Sequence, residues 1–259
     1  MGSRSYGQYC GVTTAVELIG ERWALLIVRD LLVGARRYTD LKQGLPKIPT
    51  NILSTRLKEL QEGGVVRRVP LKHCGLVYEL TDYGRMLEPI VLALGRWGFA
   101  SMGEPGPDDV VTADSLTMAL RTAFQPEVAA SVPPADYELH VGDVVLRVQV
   151  DGPLLTVAQL APPASPGARQ QAGGLGRSPI EHGRLPVGEP DLAFAAGPGI
   201  RRLISGELTP GAAIDEEVLA VVSGDATLLN RFAATFHIDD VLRTSWGEDD
   251  LIEVPALTG

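Results

Sequence analysis

The side chains best suited to chemistry in this sequence share one face of a short predicted helix, Pro49–Leu60. Three leucines recur at intervals of four and three residues and form an apolar stripe on it: Leu53, Leu57 and Leu60. Asn51, Thr55 and Lys58 fall on the opposite face. Amide, hydroxyl and ammonium groups bind base edges and phosphates, so this face suits nucleic acid. The alternative is a helix that packs a small domain and shows a mixed polar face to water.

A basic hairpin is predicted directly after this helix. Gly63 and Gly64 stop the helix, and the segments Val65–Val69 and Leu76–Leu80 have the composition of two short strands. Four basic residues lie on the hairpin: Arg67, Arg68, Lys72 and His73. Because further helical segments precede the polar helix, the pattern predicts a winged helix-turn-helix and favours DNA as the partner.

The preceding segments are predicted to be helices that support the polar one. Thr14 and Glu17 have the spacing of a capping box, which would begin a first helix at Thr14. Trp23–Leu32 is apolar nearly all round and should be a buried central helix. Thr39 is predicted to cap a brief helix, Asp40–Gly44.

A longer helix is predicted after the hairpin, capped by Thr81 and Asp82. Its apolar residues recur at intervals of three and four: Tyr83, Leu87, Ile90, Val91, Leu94 and Trp97. This face is wider than a small domain could bury alone, which suggests a partner helix from a second subunit. Pro89 should bend or shorten the helix.

The order of these motifs resembles the HxlR-type winged-helix regulators over residues 8–100. The resemblance rests on Cys10, Gly20–Trp23, Arg29–Leu32, Arg36–Leu41, Asn51–Leu57, the Gly-Gly turn, Tyr78–Thr81, Gly84 and Trp97–Gly98. It implies a homodimer that binds double-stranded DNA at a short palindromic operator. It also implies that the N-terminal and last helices of this domain form the dimer interface.

The same resemblance assigns site residues. Six would contact DNA from the polar helix: Thr50, Asn51, Ser54, Thr55, Arg56 and Lys58. Four would hold phosphate: Arg36, Arg37, Lys72 and His73. Cys10 resembles the cysteine with which some of these proteins sense electrophiles and oxidants, and a helix N-terminus just beyond it could lower the pKa of its thiol. The alternative for Cys10 is an inert, buried side chain.

Charge is distributed unevenly along the chain. Residues 1–104 hold 14 Lys and Arg against 10 Asp and Glu, whereas the remainder holds 9 against 22. A basic N-terminal part followed by an acidic C-terminal part fits a DNA-binding domain joined to a second domain. Two cysteines and four scattered histidines show neither a disulfide framework nor a metal-ligand spacing, so we expect no metal and no cofactor. The absence of a long apolar run predicts a cytoplasmic protein with no membrane partner.

The C-terminal part begins with a predicted helix, Leu116–Phe124, that stops at Pro126. Three strands, Tyr137–Val141, Val144–Val150 and Leu154–Leu160, should form an antiparallel meander. Residues 161–190 are rich in Gly and Pro and predict a long mobile loop without a phosphate-binding motif. The elements expected beyond this loop alternate between strand and helix: Asp191–Ala196, Ile200–Ser205, Val218–Val222 and Asp225–Phe236.

Short motifs in this part resemble the sterol-carrier-protein-2 fold over residues 114–238: Asp191–Phe194, Leu203–Leu208, Ala213 and Gly224–Phe232. The resemblance implies a five-stranded, antiparallel-rich sheet covered by helices, with an apolar tunnel for a small hydrophobic or aromatic effector. Seven residues are candidates to line such a pocket: Phe124, Leu139, Leu146, Val148, Phe194, Phe232 and Phe236. The alternative is that these residues fill an ordinary core.

The sequence therefore predicts an α+β protein of two domains. We expect a winged-helix domain over 1–103, a linker over 104–113, a sterol-carrier-protein-2-like domain over 114–240 and a tail over 241–259. The favoured function is a ligand-modulated DNA-binding regulator and not an enzyme, since no nucleophile-base-acid set is evident. A repressor is favoured, with an activator as the alternative. The alternative is a carrier of, or an enzyme acting on, a small apolar molecule that uses the winged helix only to dimerise.

Overall fold

The computed structural model describes residues 5–71, 75–160, 188–197 and 199–239. These residues form two compact units, which divide within one helix at Val91 and Leu92. The division lies upstream of the predicted linker 104–113, and the predicted domain boundaries stay predictions. Within the described ranges, no helix combines the length and apolar character that a bilayer crossing requires.

The first unit contains four helices and a two-stranded antiparallel hairpin, with a fifth and a sixth helix beginning after it. Their bounds are α1 (Gly11–Ile19), α2 (Ala24–Val33), α3 (Tyr38–Gly44), α4 (Thr50–Glu62), β1 (Val66–Leu71), β2 (Gly75–Leu80), α5 (Asp82–Arg85) and α6 (Glu88–Ala100). Arg36 and Tyr78 exchange two backbone hydrogen bonds of 2.9 and 2.8 Å, an isolated antiparallel bridge that joins the segment ahead of α3 to β2. The predicted winged helix-turn-helix is thus confirmed.

The core of this unit forms where the sequence places its apolar stripes. Ile27 and Val28 of α2 are inaccessible to solvent, as the nearly uniform apolar character of that segment predicts. The three leucines of α4 are each no more than 1% exposed: Leu53, Leu57 and Leu60. Burial of this stripe orients α4, because the opposite face of the helix must then point to solvent.

The helix after the hairpin is interrupted ahead of Pro89, as predicted. The hydroxyl of Thr81 accepts a hydrogen bond from the Gly84 N–H at 3.0 Å, which confirms the predicted cap. Two turn residues, Met86 and Leu87, then separate α5 from α6, which begins at Glu88 with Pro89 in its first turn. Proline is tolerated there because its missing N–H would have no partner within the helix.

The predicted start of α1 is wrong. The helix begins at Gly11, with Cys10 at its N-cap position, and Thr14 lies inside it. The Glu17 carboxylate accepts a hydrogen bond from the Tyr6 N–H at 2.7 Å instead of closing a capping box. The Thr14 hydroxyl donates to the Cys10 carbonyl oxygen, one turn back.

The predicted cap of α3 also differs. The helix begins two residues earlier than predicted, at Tyr38, with Arg37 at its N-cap position. The Asp40 carboxylate reaches back to accept a hydrogen bond from the Arg37 N–H at 2.8 Å. The Thr39 hydroxyl instead lies 3.5 Å from an Asp40 carboxylate oxygen, so it does not cap the helix.

The second unit contains the end of α6, five further helices and a mixed five-stranded sheet. The helices are α7 (Ala113–Ala123), α8 (Pro126–Ala130), α9 (Ile200–Ile204), α10 (Pro210–Asp215) and α11 (Leu228–Thr235). The strands are β3 (Ala135–Val141), β4 (Val144–Asp151), β5 (Leu154–Leu160), β6 (Leu192–Ala196) and β7 (Leu219–Gly224), in the order β5-β4-β3-β6-β7. The predicted meander of β3, β4 and β5 is confirmed, and only the β3–β6 pair is parallel. Two short helices, α8 and α10, were not predicted.

A close approach at Gly84 makes this glycine a sensitive position in the first unit. A β-carbon at residue 84 would lie 2.1 Å from the Val65 carbonyl oxygen. We therefore expect Gly84→Ala to destabilise the first unit by ~2–4 kcal/mol, because backbone must move to relieve the clash. Urea unfolding followed by circular dichroism measures this change. Gly11→Ala is the matched control, since an added β-carbon there meets no atom within 4 Å; equal stability of the two variants would contradict the expectation.

Candidate nucleic-acid interface

The exposed face of α4 presents most of the residues predicted to contact DNA. Five of the six are exposed: Thr50, Asn51, Ser54, Thr55 and Lys58. Asn51 lies in the first turn of the helix, which is the part of a recognition helix that contacts base edges. Lys58 extends from the same face two turns later, with its ammonium 3.6 Å from the exposed Glu62 carboxylate.

The hydroxyl groups on this face donate hydrogen bonds to the helix backbone. The Thr55 hydroxyl donates to the Asn51 carbonyl oxygen at 2.9 Å, and the Ser54 hydroxyl donates to the Thr50 carbonyl oxygen at 3.1 Å. Hydroxyl oxygens with this geometry keep their acceptor lone pairs for other groups.

Tyr38 of α3 is a positioning residue that the sequence did not reveal. Its hydroxyl donates to the Thr50 carbonyl oxygen at 2.8 Å and lies 3.2 Å from the Ser54 hydroxyl oxygen. This contact ties α3 to the first turn of α4. Tyr38 and Thr50 are 12 positions apart in the sequence, so only a prediction that already placed the two helices side by side could have found this contact.

Arg56 is mostly buried, unlike the five other residues of α4 that are predicted to contact DNA. Its side chain is 13% exposed and forms ion pairs with Glu21, at 3.1 Å, and with Glu59. At 100° per residue, Arg56 lies about 140° around the helix from Asn51. It therefore lies on the flank of α4, next to the buried stripe, and not on the face of Asn51 and Lys58.

The residues predicted to hold phosphate are only partly within the described structure. Arg36 and Arg37 are half-buried just ahead of α3, where the Arg36 guanidinium donates to the Ala35 carbonyl oxygen at 3.0 Å. Lys72 and His73 lie outside the described residues, as does Cys74. On the described strands of the hairpin, Arg67 and Arg68 are exposed: Arg67 pairs with Glu79 at 2.6 Å, and Arg68 lies over the Tyr78 ring.

Cys10 is exposed at the N-terminus of α1. Hydrogen bonds from the backbone of Thr13 and then of Val12, together with the Thr13 side chain, lower the pKa of the Cys10 thiol below its ordinary value. Backbone N–H groups at a helix N-terminus favour the thiolate in this way. The thiol has the exposure that a reactive cysteine needs, unlike the buried side chain that was the alternative.

The seven candidate pocket residues lie in the core of the second unit. Six are fully buried: Leu139, Leu146, Val148, Phe194, Phe232 and Phe236. The seventh, Phe124, is partly buried and packs on Phe236 with ring centroids 5.7 Å apart. Phe232 contacts Phe194 and Phe236 at centroid distances of 5.0 and 4.6 Å. Rings this close fill the space between the sheet and α11, so a ligand site among these residues stays a prediction.

A cleft of about 380 Å³ lies elsewhere in the second unit, at one end of the meander. Its polar lining includes Asp136, Gln149, Asp151, Thr156 and Asp191. Asp136 is already bonded there, to Arg147 at 2.6 and 3.0 Å and to Gln149 at 3.0 Å. An acidic lining differs from the apolar tunnel that the sequence predicts.

The α2–α4 helices, the exposed polar face of α4 and the antiparallel hairpin together define a winged helix-turn-helix protein. Comparison with known proteins agrees: residues 18–105 match the model of the HxlR-like helix-turn-helix family. The uncharacterized HTH-type transcriptional regulator YvaP of Bacillus subtilis (strain 168) is 40% identical over 85 residues, which are 32% of this chain and 79% of YvaP. The chain belongs to the HxlR-like helix-turn-helix family.

Other relatives carry the same description. The uncharacterized HTH-type transcriptional regulator Rv3095 of Mycobacterium tuberculosis (strain ATCC 25618 / H37Rv) is 41% identical over 102 residues, covering 37% of this chain and 62% of Rv3095. Among solved structures, the redox regulator HypR in its oxidized form is 31% identical to this chain. The match covers 36% of this chain and 99% of the HypR chain, with a TM-score of 0.34. YvaP and Rv3095 bear the name of HTH-type transcriptional regulators, which supports DNA-binding regulation and is consistent with a protein that is not an enzyme. The family match ends at residue 105, ahead of the five-stranded sheet.

Proposed function

We propose that this protein is a transcriptional repressor that binds a palindromic operator as a homodimer. The exposed face of α4 is the observation that carries the proposal, since it presents Asn51, Thr55 and Lys58 on a helix fixed by its buried leucines. An amide near the helix N-terminus can read a base edge, and an ammonium further along can hold phosphate.

Selection from a library of random DNA duplexes tests this proposal. The expected result is an enriched inverted repeat with half-sites about one helical turn, ~34 Å, apart, because a two-fold dimer presents two recognition helices to one side of the duplex. A second outcome, retention of DNA without any sequence enrichment, would contradict an operator-binding function. A third, no retention at low salt, would contradict DNA binding altogether.

Exposed apolar faces support the dimer. None of the 13 residues of α6 is buried, although the helix is mostly apolar. Ile90, Leu94 and Trp97, which are 47%, 42% and 78% exposed, follow one another at intervals of four and three residues. In α1, Val12 and Val16 are also exposed one turn apart. Apolar stripes at helical spacing are typical of surfaces that a partner covers.

Cys10 supports a second role, in which modification of its thiol alters DNA affinity. The expected result is that Cys10 reacts with iodoacetamide faster at pH 7 than free N-acetylcysteine does. The lowered pKa of Cys10 keeps the thiolate populated at pH values where an ordinary thiol is protonated, so the rate should fall only at lower pH. Mass spectrometry of the alkylated Cys74→Ser variant measures this rate, and Cys10→Ser is the control that leaves Cys74. If the alkylation rate of Cys10 reached half its maximum at the same pH as that of N-acetylcysteine, the lowered pKa of Cys10 would be contradicted.

The role of the second unit is also a proposal. The short motifs that resemble the sterol-carrier-protein-2 fold, together with the five-stranded sheet, support a domain that binds an apolar effector and thereby modulates DNA affinity. Because the candidate phenylalanines pack against one another, such an effector would have to displace at least one ring from the core. The carrier or enzyme alternative needs the same opening.

A further inference from the structure

The ion pairs of Arg56 join the recognition helix α4 to the corner between α1 and α2. The Arg56 Nη2 atom lies 3.1 Å from Glu21 Oε2, while its Nη1 atom bonds to Glu59 on α4 itself. Glu21 follows α1 directly after Gly20, so this contact crosses from one element to another. The guanidinium is mostly enclosed, with 13% of the side chain exposed.

The corner that holds Glu21 has a defined geometry. Trp23, two residues later, occupies the left-handed region with φ at 80°, a conformation that a bulky residue adopts only when its surroundings enforce it. The Glu21 carbonyl oxygen accepts a hydrogen bond from the Ala24 N–H at 3.0 Å, which closes the turn. A carboxylate on such a turn is a fixed point to which a neighbouring helix can be tied.

A second contact between α1 and α4 lies near the end of α4. Leu18 of α1 packs so closely on Gly63 that a β-carbon at residue 63 would lie 2.8 Å from the Leu18 Cδ2 atom. Helix α4 is therefore held by α1 and the corner after it at two points, near Arg56 and at Gly63. Two separated contacts fix the direction of a helix axis, whereas one contact would allow it to pivot.

Direct contact of Arg56 with DNA phosphate is the competing explanation. The Arg56 guanidinium forms ion pairs with two carboxylates, those of Glu21 and Glu59, and carboxylates repel phosphate. Both carboxylates are partly exposed, at 37% for Glu21 and 45% for Glu59, so a phosphate approaching Arg56 would meet them. The charge and the burial of this cluster therefore favour a positioning role.

We propose that Arg56 is a positioning residue that sets the orientation of the recognition helix relative to α1 through Glu21. This inference rests on the proposed operator-binding function. Since α1 exposes the apolar residues Val12 and Val16, a dimer formed through α1 would fix the direction of each α4 through this ion pair. Arg56 would then determine how strictly the dimer selects the spacing between two half-sites, without contacting DNA.

Glu21→Gln, Arg56→Gln and the double variant test the proposal in the full-length protein. The probe is a fluorescein-labelled duplex of the sequence that the wild-type protein enriches from the random library, with two further duplexes whose half-site spacing is one base pair longer or shorter. Each single variant is expected to bind the enriched duplex about tenfold more weakly, and the double variant no more weakly than either single one. The preference for the correct spacing should also decrease in all three.

The sign of the Glu21→Gln effect separates the two explanations. Removing a carboxylate would strengthen phosphate binding if Arg56 contacted DNA, and Arg56→Gln would then lower the slope of log affinity against log salt by about 0.9. Either result would overturn the proposal. Glu62→Gln is the matched control, because Glu62 pairs with Lys58 on the exposed face of the same helix; it should leave spacing preference unchanged.

Folding and the proposed function are controlled separately. Thermal unfolding identifies any variant that loses stability, and Arg56→Lys, which keeps the charge, should restore part of the spacing preference. A general loss of stability would lower the active fraction without changing the ratio of affinities for the three duplexes, and that outcome would contradict a positioning role. Failure of the wild-type protein to enrich any sequence would refute operator binding itself, whereas unchanged affinities in the variants would refute only the role of Arg56.

Discussion

The double variant Asn51→Ala/Lys58→Ala is expected to bind the enriched operator ~3 kcal/mol more weakly than the wild-type protein, which is more than 100-fold. An asparagine that forms two hydrogen bonds with adenine contributes about 1–3 kcal/mol of discrimination, and a phosphate contact adds a further, salt-dependent part. Both side chains are exposed on α4, so alanine at these positions removes contacts with DNA and leaves the buried leucines in place.

The single variants should divide this effect into two kinds. Asn51→Ala is expected to relax the preference for the enriched sequence over an unrelated duplex. Lys58→Ala should weaken binding to both duplexes alike and reduce the salt slope by about 0.9. Fluorescence anisotropy titrations at two salt concentrations measure both quantities.

Gln61→Ala is the control for this experiment. Gln61 is exposed on the same helix but lies in its last turn, away from the N-terminal residues that reach bases. Its replacement should change operator affinity by less than twofold. If the double variant bound as tightly as Gln61→Ala, the assignment of the Asn51 face to the major groove would be wrong.

The elements of this fold were largely predictable because local patterns specify them. The leucine stripe at Leu53, Leu57 and Leu60 specifies both a helix and the face that it buries, and the exposure of Asn51 follows by geometry. The meander was equally predictable, since its alternating apolar residues are separated by short turns. Such signals depend on residues within a few positions of one another.

The contacts of Arg56 could not be predicted in the same way. Its partner Glu21 is far away in sequence, and the approach of the two depends on how α4 packs beside α1. The angle of Arg56 around the helix does indicate that it lies away from the exposed face, because a residue about 140° from Asn51 borders the buried stripe. Sequence alone, however, cannot show which carboxylate a bordering arginine meets.

The phenylalanines of the second unit show a different limit. Alternating apolar residues predict which side chains point inward, and Phe194 and Phe232 do so. The same pattern describes a packed core and a cavity wall equally well, because both are lined by apolar side chains. Only the distances between the rings distinguish the two arrangements, and here they indicate packing.

The first turn of α1 was mispredicted because the side chain of Glu17 has a different hydrogen-bond partner from the one that its spacing to Thr14 suggests. Thr14 and Glu17 have the spacing of a capping box, but the Glu17 carboxylate accepts a hydrogen bond from the Tyr6 N–H, in the segment ahead of α1. The helix could then extend back to Gly11, which places Cys10 at its N-cap. The extension brings the thiol next to the first backbone N–H groups, which are the groups that lower its pKa.

The double variant Leu94→Glu/Trp97→Glu is expected to be monomeric at concentrations where the wild-type protein is a dimer. Both side chains lie on the exposed apolar face of α6, and Trp97 is 78% exposed. Within the second unit, the neighbouring Phe99 packs against the hydrophobic core, whereas Leu94 and Trp97 are exposed. Two carboxylates in the centre of an apolar interface would be buried without partners, which strongly disfavours association.

Loss of the dimer should also weaken operator binding by about 10²–10⁴-fold, because the second half-site would no longer be bound intramolecularly. Sedimentation velocity measures the association state, and anisotropy with a full palindrome and with one half-site measures the affinity. The monomer should bind the half-site as the wild-type protein does, since α4 is unchanged, and should lose only the advantage of the palindrome. Leu154→Glu is the control: Leu154 is 68% exposed on strand β5, and its replacement should alter neither measurement. A variant that still dimerises would show that α6 is not part of the interface. A wild-type protein that is monomeric at micromolar concentration would contradict the dimer itself, and with it the expected spacing of the two recognition helices.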